Sequence, residues 1–444
     1  MKLYNTIFNK LKASRYYFDA FFIYFTLKKY LMDTYFIATV LVFLSAIFGY
    51  INVRLLKMPN TIGLMIMTIV FTLSVLLLSY FDPTLLNLEK SIISSIDFKT
   101  VLLDEMLSFL LFAGALHTNF EQLKIQRWPI LLFSTLGVLT STFLVGGVMY
   151  FILQALGFDI NFIYCLLFGA LISPTDPIAV LGILKKAGVP KKLETKIVGE
   201  SLFNDGVGVV VFLTIFQIAK SGLDNTTTFD VVQLFGQEVI GGILLGGLLG
   251  WISYRLIKSI DDYDIEVIIT LAAVMGGTVI AQKLHLSAPL AMVTAGLIVG
   301  NDTVRSSSMS ETTEKYVDKF WELLDILLNA ILFVLIGMEM LVLVFDGKFI
   351  VAGLIAIPVV LACRYISLFL PINIFKKKLD FVPKTNLIMT WGGLRGGISI
   401  ALALGLSTEM HRDLFLVITY IVVVFSIIVQ GLTVGKLVNK FKES

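Results

Sequence analysis

The chain has 444 residues, of which 57% are hydrophobic and 15% charged, with a formal net charge of +3 and a mean hydropathy of +0.89. A water-soluble fold of this size cannot bury so much apolar surface, so lipid must cover the excess, and the small charge excess implies no nucleic-acid partner. The two cysteines, Cys165 and Cys363, both fall in apolar stretches, which excludes a disulfide framework or a thiolate metal cluster and reads as two small buried apolar residues.

Residues 1–32 read as an N-terminal extension. The apolar run Phe18 to Leu27 is too short to span and has no small-residue cleavage site after it, so an aromatic, basic interfacial helix is favoured over a signal peptide. Met32 before Asp33 is an alternative start, which would make the extension an artefact of where the chain was taken to begin.

Residues 33–444 form the transmembrane domain. A spanning helix needs about 20 mostly apolar residues, because the hydrocarbon core is about 30 Å thick and a helix rises about 1.5 Å per residue. Thirteen stretches qualify, near residues 34–53, 61–80, 101–120, 130–153, 161–184, 197–218, 237–257, 264–281, 285–300, 321–345, 350–372, 386–406 and 414–435. The fold class is therefore all-α and polytopic. The longest polar connections, Asp302 to Lys319 and Gly222 to Gln237, run under twenty residues, which leaves no separate soluble domain.

With thirteen spans the connections alternate sides, and lysine and arginine divide unequally between them. One set, from Arg54 and Lys57 to Lys436, Lys440 and Lys442, holds 21, and the other, Lys90, Lys99, Lys220, Lys283, Lys348 and Arg412, holds 6. The positive-inside rule puts the richer set, and the C-terminus with it, in the cytoplasm. The plasma membrane is the expected location. The extension breaks the pattern, since thirteen spans put Lys2, Lys10, Lys12, Arg15, Lys28 and Lys29 outside.

Ionisable groups inside spans are disfavoured by several kcal/mol and by default mark a site. Asp176 lies in the fifth stretch within Ala170 to Val180 (ALISPTDPIAV) and Glu200 and Asp205 lie in the sixth within Gly199 to Gly208 (GESLFNDGVG). Arg364 is central in the eleventh, and Arg395 is central in the twelfth within Trp391 to Ser399 (WGGLRGGIS). Asp176 and Asp205 both come out roughly 12 Å from the cytoplasmic ends of their stretches at about 1.5 Å per residue, near the midplane.

Pro174 and Pro177 bracket Thr175 and Asp176. Each proline removes a backbone donor and disfavours helix at the residue before it, so the fifth helix should unwind and free carbonyls such as that of Thr175. Gly392, Gly393, Gly396 and Gly397 interrupt the twelfth. Two discontinuous helices in equivalent places of two halves point to a transporter built from inverted repeats, with its site where they cross. On the sixth helix Glu200, Ser201, Asn204 and Asp205 share one face, which should look at the broken helix. Carboxylate, hydroxyl, amide and carbonyl oxygens suit a hard cation, and no soft ligand for a transition metal accompanies them. One acid in a span is as often a satisfied structural group as a site. The convergence of several at one depth favours the functional reading.

At these residues the chain resembles the monovalent cation:proton antiporters of the NhaP type, relatives of the animal sodium/proton exchangers. The likeness runs from about residue 33 to the end and is carried by Thr175-Asp176-Pro177, by Glu200-Ser201 with Asn204-Asp205, and by Gly392 to Gly397. It implies a homodimer in which one helical bundle dimerises and the other moves as an elevator. Asp205 would be the principal cation and proton ligand, with Asp176, Ser201 and the Thr175 carbonyl completing a sodium site and Asn204 orienting it. Glu200 and Arg364 would form a structural ion pair, since either charge alone in this setting is strongly disfavoured. Many members carry Phe-Glu-Gly where this chain has Phe112, Ala113 and Gly114, which removes one water-mediated ligand.

Exchange requires a group that holds either the cation or a proton. Burial disfavours an ionised carboxylate, so a proton can compete with sodium, lithium or potassium at Asp205. With Asn204 rather than a second acid beside it, the expectation is one-for-one, electroneutral exchange by a protein that needs no cofactor and is not an enzyme. Arg395 is expected to bridge the interrupted ends of its own helix by hydrogen bonds to freed carbonyls. An intramembrane aspartyl protease is the alternative from another class, but it gives Ser201, Asn204 and the proline-bracketed carbonyls no task. A passive cation channel is the third reading. His117, His285 and His411 receive no role, and Glu322, Asp325 and Glu339 of the tenth stretch lie toward its ends.

Overall fold

The computed structural model describes residues 34–81, 84, 86–87, 101, 105–176, 189, 191–222, 228–341, 343, 346–375 and 384–442. The extension 1–32 and Pro177 lie outside them. Every element among the described residues is helical: α1 Thr34–Ile51, α2 Asn60–Leu78, α3 Leu107–Leu116, α4 Arg127–Ala155, α5 Phe162–Ile172, α6 Lys191–Ser221, α7 Thr228–Ile257, α8 Tyr263–Lys283, α9 Ala288–Val299, α10 Glu311–Glu339, α11 Gly347–Phe375, α12 Thr385–Gly392, α13 Gly397–Leu404 and α14 Arg412–Lys440. Short turns of helix join several of them.

Nine of these helices are long and apolar enough to cross a membrane among the described residues, and α12 with α13, bent by 52° at their break, makes a tenth. The shorter α3, α5 and α9 are equally apolar. Large apolar side chains point outward from the bundle, including Phe43 of α1, Leu244 and Trp251 of α7 and Ile268 of α8. Exposed apolar surface on this scale suits lipid and not water, as expected for an integral membrane protein.

Sequence cues set the ends of the short helices. Asn161 caps α5 by accepting from the Ile163 N–H at 3.2 Å. Ser287 accepts from the Leu290 N–H at 3.4 Å at the start of α9, whose first turn also carries Pro289, a favoured place for a residue without an N–H. Ala288 to Gly300 then packs backbone to backbone. A Cβ on Gly246 of α7 would meet the Ala291 carbonyl, and one on Gly300 would meet the Leu116 carbonyl. Small residues permit this approach, and in lipid close packing is what holds helices together. The same device joins α4 to α5, where Gly169 abuts the Thr142 carbonyl.

Two expected connections are partly helical. Residues 302–308 form a helical turn, and the polar stretch that follows is the first part of α10, which begins at Glu311. Likewise α7 begins at Thr228. Hydropathy finds only the lipid-facing part of a helix, whereas Val317 and Trp321 of α10 are buried against protein, and amphipathic turns of this kind extend a helix beyond the apolar stretch.

Candidate ion site where two broken helices meet

Helix α5 stops at Ile172, and Ser173 to Asp176 leave the helical path. Pro174 has no N–H to give, and the N–H groups that follow it find partners on other elements. The Thr175 N–H donates to Asn204 Oδ1 at 3.2 Å, and Asn204 Nδ2 donates to Thr175 Oγ1 at 2.8 Å. Thr175 Oγ1 and Ser201 Oγ are 2.9 Å apart. One face of α6 therefore replaces the lost helical bonds of α5. Gly208 of α6 makes room, since a Cβ there would strike the Pro174 ring.

The second break lies between α12 and α13. The Asp176 N–H donates to the Leu394 carbonyl at 2.7 Å, so the two interrupted segments are bonded directly to each other. Gly396 faces Asp176, and any side chain there would collide with its carboxylate. The Arg395 N–H donates to Ser426 Oγ of α14 at 2.9 Å.

The Arg395 side chain does not bridge its own helix as expected. Its Nη1 donates to the carbonyls of Ser173 at 2.8 Å and Pro174 at 3.1 Å, the freed acceptors of the other broken helix. The reason is geometric: Leu394 and Asp176 are tied together, so the guanidinium beside them reaches the end of α5, whose last carbonyls carry the negative end of the helix dipole.

A cavity of about 50 Å³ opens at this crossing, lined by Thr175, Asp176, Asp205, Gly396 and Ser399, with Leu107, Leu111 and Gly114 of the α3 segment among the apolar walls. It has room for a few waters. Asp205 is buried to 4% exposure, lines the cavity, and among the described residues no hydrogen bond or ion pair reaches its carboxylate. Such a group is poised to take a cation or a proton from the cavity. Asp176 lines the same space. Ser201 and Asn204 act behind the wall, through Thr175.

Glu200 lies on the same helix but belongs to a different contact. Arg364 Nη2 of α11 is 2.9 Å from Glu200 Oε1, and both side chains are buried. Arg364 Nε also donates to the Met389 carbonyl of α12 at 3.4 Å. Gly393 lies directly against the guanidinium, where a Cβ would overlap it. The pair thus ties α6, α11 and the broken α12 together. Ala113 is buried just beside the cavity-lining Gly114.

Two lining residues escape a search for charges in spans. Ser399 opens the first turn of α13, and Asn329 comes from the middle of α10. An uncharged amide inside an otherwise apolar run is the signal that could have found Asn329.

The fold and the site define a class: an integral membrane protein with a buried acidic cavity between interrupted helices. The family described as "Sodium/hydrogen exchanger, transmembrane" matches residues 42–440. The chain is 49% identical over 402 residues to the Na(+)/H(+) antiporter NhaP of Pseudomonas aeruginosa, covering 89% of this chain and 94% of that one. It is 34% identical over 396 residues to the Na(+)/H(+) antiporter NhaH of Halobacillus dabanensis, covering 87% and 93%. In fold it matches the sodium proton antiporter MjNhaP1 from Methanocaldococcus jannaschii with a TM-score of 0.72 at 18% identity, over 92% of this chain and 98% of that one. The chain belongs to the sodium/hydrogen exchanger family, secondary transporters that exchange cations for protons, as its motifs suggested.

Proposed function

We propose that this chain exchanges sodium for protons, one for one, with Asp205 as the group that both occupy in turn. The observation that carries the reading is the Asp205 carboxylate, buried and without a hydrogen-bond or ion-pair partner among the described residues, at a cavity formed where two broken helices meet. A buried carboxylate without compensation is disfavoured. A cation or a proton relieves it, and each excludes the other.

Asp176 is the second acidic wall of the site. Ser201 and Asn204 hold Thr175 so that the unwound segment presents its oxygens to the ion, and Pro174 and Pro177 keep that segment from winding up. Arg395 balances the freed α5 carbonyls, and the Glu200–Arg364 pair is structural. Asn204 cannot carry a proton, so one proton crosses for each cation and no net charge moves. Lithium shares the site with sodium, and potassium is the larger competitor.

Transport then proceeds by alternating access. The bundle bearing the crossing moves as an elevator against a second bundle, which forms a homodimer. The reading includes thirteen spans in inverted repeats, which the three short apolar helices and the bent pair support alongside the nine long ones. It also includes a plasma-membrane location with the C-terminus in the cytoplasm, supported by the lysine and arginine bias.

The test is reconstitution into liposomes with a trapped pH-reporting dye. Sodium pulses should drive protons in the direction opposite to sodium for the native chain, and Asp205→Ala should abolish the response. Equal proton movement by Asp205→Ala refutes the assignment.

A further inference from the structure

Helix α10 brings Asn329 to the cavity that Asp176 and Asp205 line. The residue is buried, and the two ends of its amide are used unequally. Asn329 Nδ2 donates to the Asp325 carbonyl, one turn back, at 2.8 Å and to Asp325 Oδ1 at 3.0 Å. Both partners are acceptors, so the nitrogen must face them and the amide cannot be the other way round. Its Oδ1 is then left at the other end, fully buried and with no hydrogen-bond partner among the described residues.

A buried amide oxygen without a donor is disfavoured, and native folds keep few of them without a reason. The neighbouring cavity offers one. We propose that Asn329 Oδ1 is a further ligand of the transported cation, with Asp325 as its positioning residue. This rests on the exchange reading above. A neutral carbonyl oxygen is a hard donor of the kind that alkali cations accept in place of water. It adds affinity without taking up a proton, so it leaves the one-for-one exchange unchanged. The oxygen is covered in this conformation, which assigns its contact to the occluded state, when the site closes on a partly dehydrated ion.

The experiment is sodium- and lithium-dependent thermal stabilisation of the purified full chain, with exchange measured in parallel. For Asn329→Ala the sodium concentration giving half of the stabilisation should rise about tenfold, the effect of losing one contact of hydrogen-bond strength. Without sodium, Asn329→Ala should melt below the native chain, because Asp325 loses the donor that Nδ2 supplies, so the ligand role is read from the sodium midpoint alone. Asn329→Asp, which retains an oxygen, should keep the sodium response at alkaline pH. Asn329→Leu, close in size and lacking both polar atoms, serves where alanine does not fold. A sodium midpoint within twofold of native in both Ala and Leu variants overturns the ligand role and makes Asn329 structural. A native chain that neither binds nor exchanges sodium overturns the exchange reading itself, and this proposal with it.

Discussion

Gly393→Ala should destabilise the protein through a residue it does not itself bond to. The added methyl would lie 2.6 Å from Arg364 Nη2 and 2.7 Å from its Cζ, closer than carbon and nitrogen approach without a bond, so the guanidinium must move. Its 2.9 Å contact with Glu200 is then lost. Glu200 is buried to 1% exposure, out of reach of bulk solvent. Breaking a buried pair while leaving one charge behind costs about 3–5 kcal/mol. The assay is denaturant titration of purified protein followed by tryptophan fluorescence, run as a cycle. In a Glu200→Gln, Arg364→Met background there is no fork to displace and no charge to strand, so Gly393→Ala should cost about 1 kcal/mol or less, and the difference is the coupling. An equal loss in both backgrounds refutes the argument and makes Gly393 a backbone requirement of the break.

Arg395→Met would leave the Ser173 and Pro174 carbonyls without their donor, costing about 1–3 kcal/mol for each buried acceptor, and exchange should fall with it; retention of native stability would show that water replaces the guanidinium. Gly396→Ala pushes on the Asp176 carboxylate and should raise the half-saturating sodium concentration more than it lowers folding stability, as read by exchange and thermal melting together. Gly246→Leu should separate α7 from α9 and lower the melting temperature, because the Ala291 carbonyl occupies the space a side chain needs. Clamping the membrane potential should leave steady-state exchange unchanged, since a net charge crossing would feel about 2.3 kcal/mol per 100 mV; a clear voltage dependence contradicts one-for-one exchange.

The parts of the site legible in the sequence are those that violate the rules of lipid. Asp176, Glu200, Asp205, Arg364 and Arg395 stand out because charge is disfavoured in an apolar stretch, and Pro174 and the Gly392 to Gly397 run because they cannot sustain a helix. The spacing of Ser201, Asn204 and Asp205 predicts one shared face of α6, and two of these three reach Thr175 there. What the sequence does not carry is contact between distant segments. The bond from the Asp176 N–H to the Leu394 carbonyl joins residues on different elements through backbone alone, so no side chain advertises it. Arg395 was legible as a carbonyl partner, but not the helix it would serve. Asn329 carries no charge, so a search for ionisable groups in apolar stretches passes over it. The helix ends were misjudged at α7 and α10 for a related reason: hydropathy reports contact with lipid, and these turns pack on protein or meet water.

The account depends on cation and proton competing for Asp205, and the pH dependence of sodium affinity tests that most directly. The half-saturating sodium concentration should be measured for the native chain in liposomes across a pH series, with equal pH on both sides before each pulse. Competition for one carboxylate predicts that it rises as pH falls, approaching tenfold per pH unit on the acidic side, and levels off on the alkaline side, while the maximal rate changes little. A sodium affinity that does not respond to pH would contradict shared occupancy, and a limiting hundredfold change per unit would contradict a single proton.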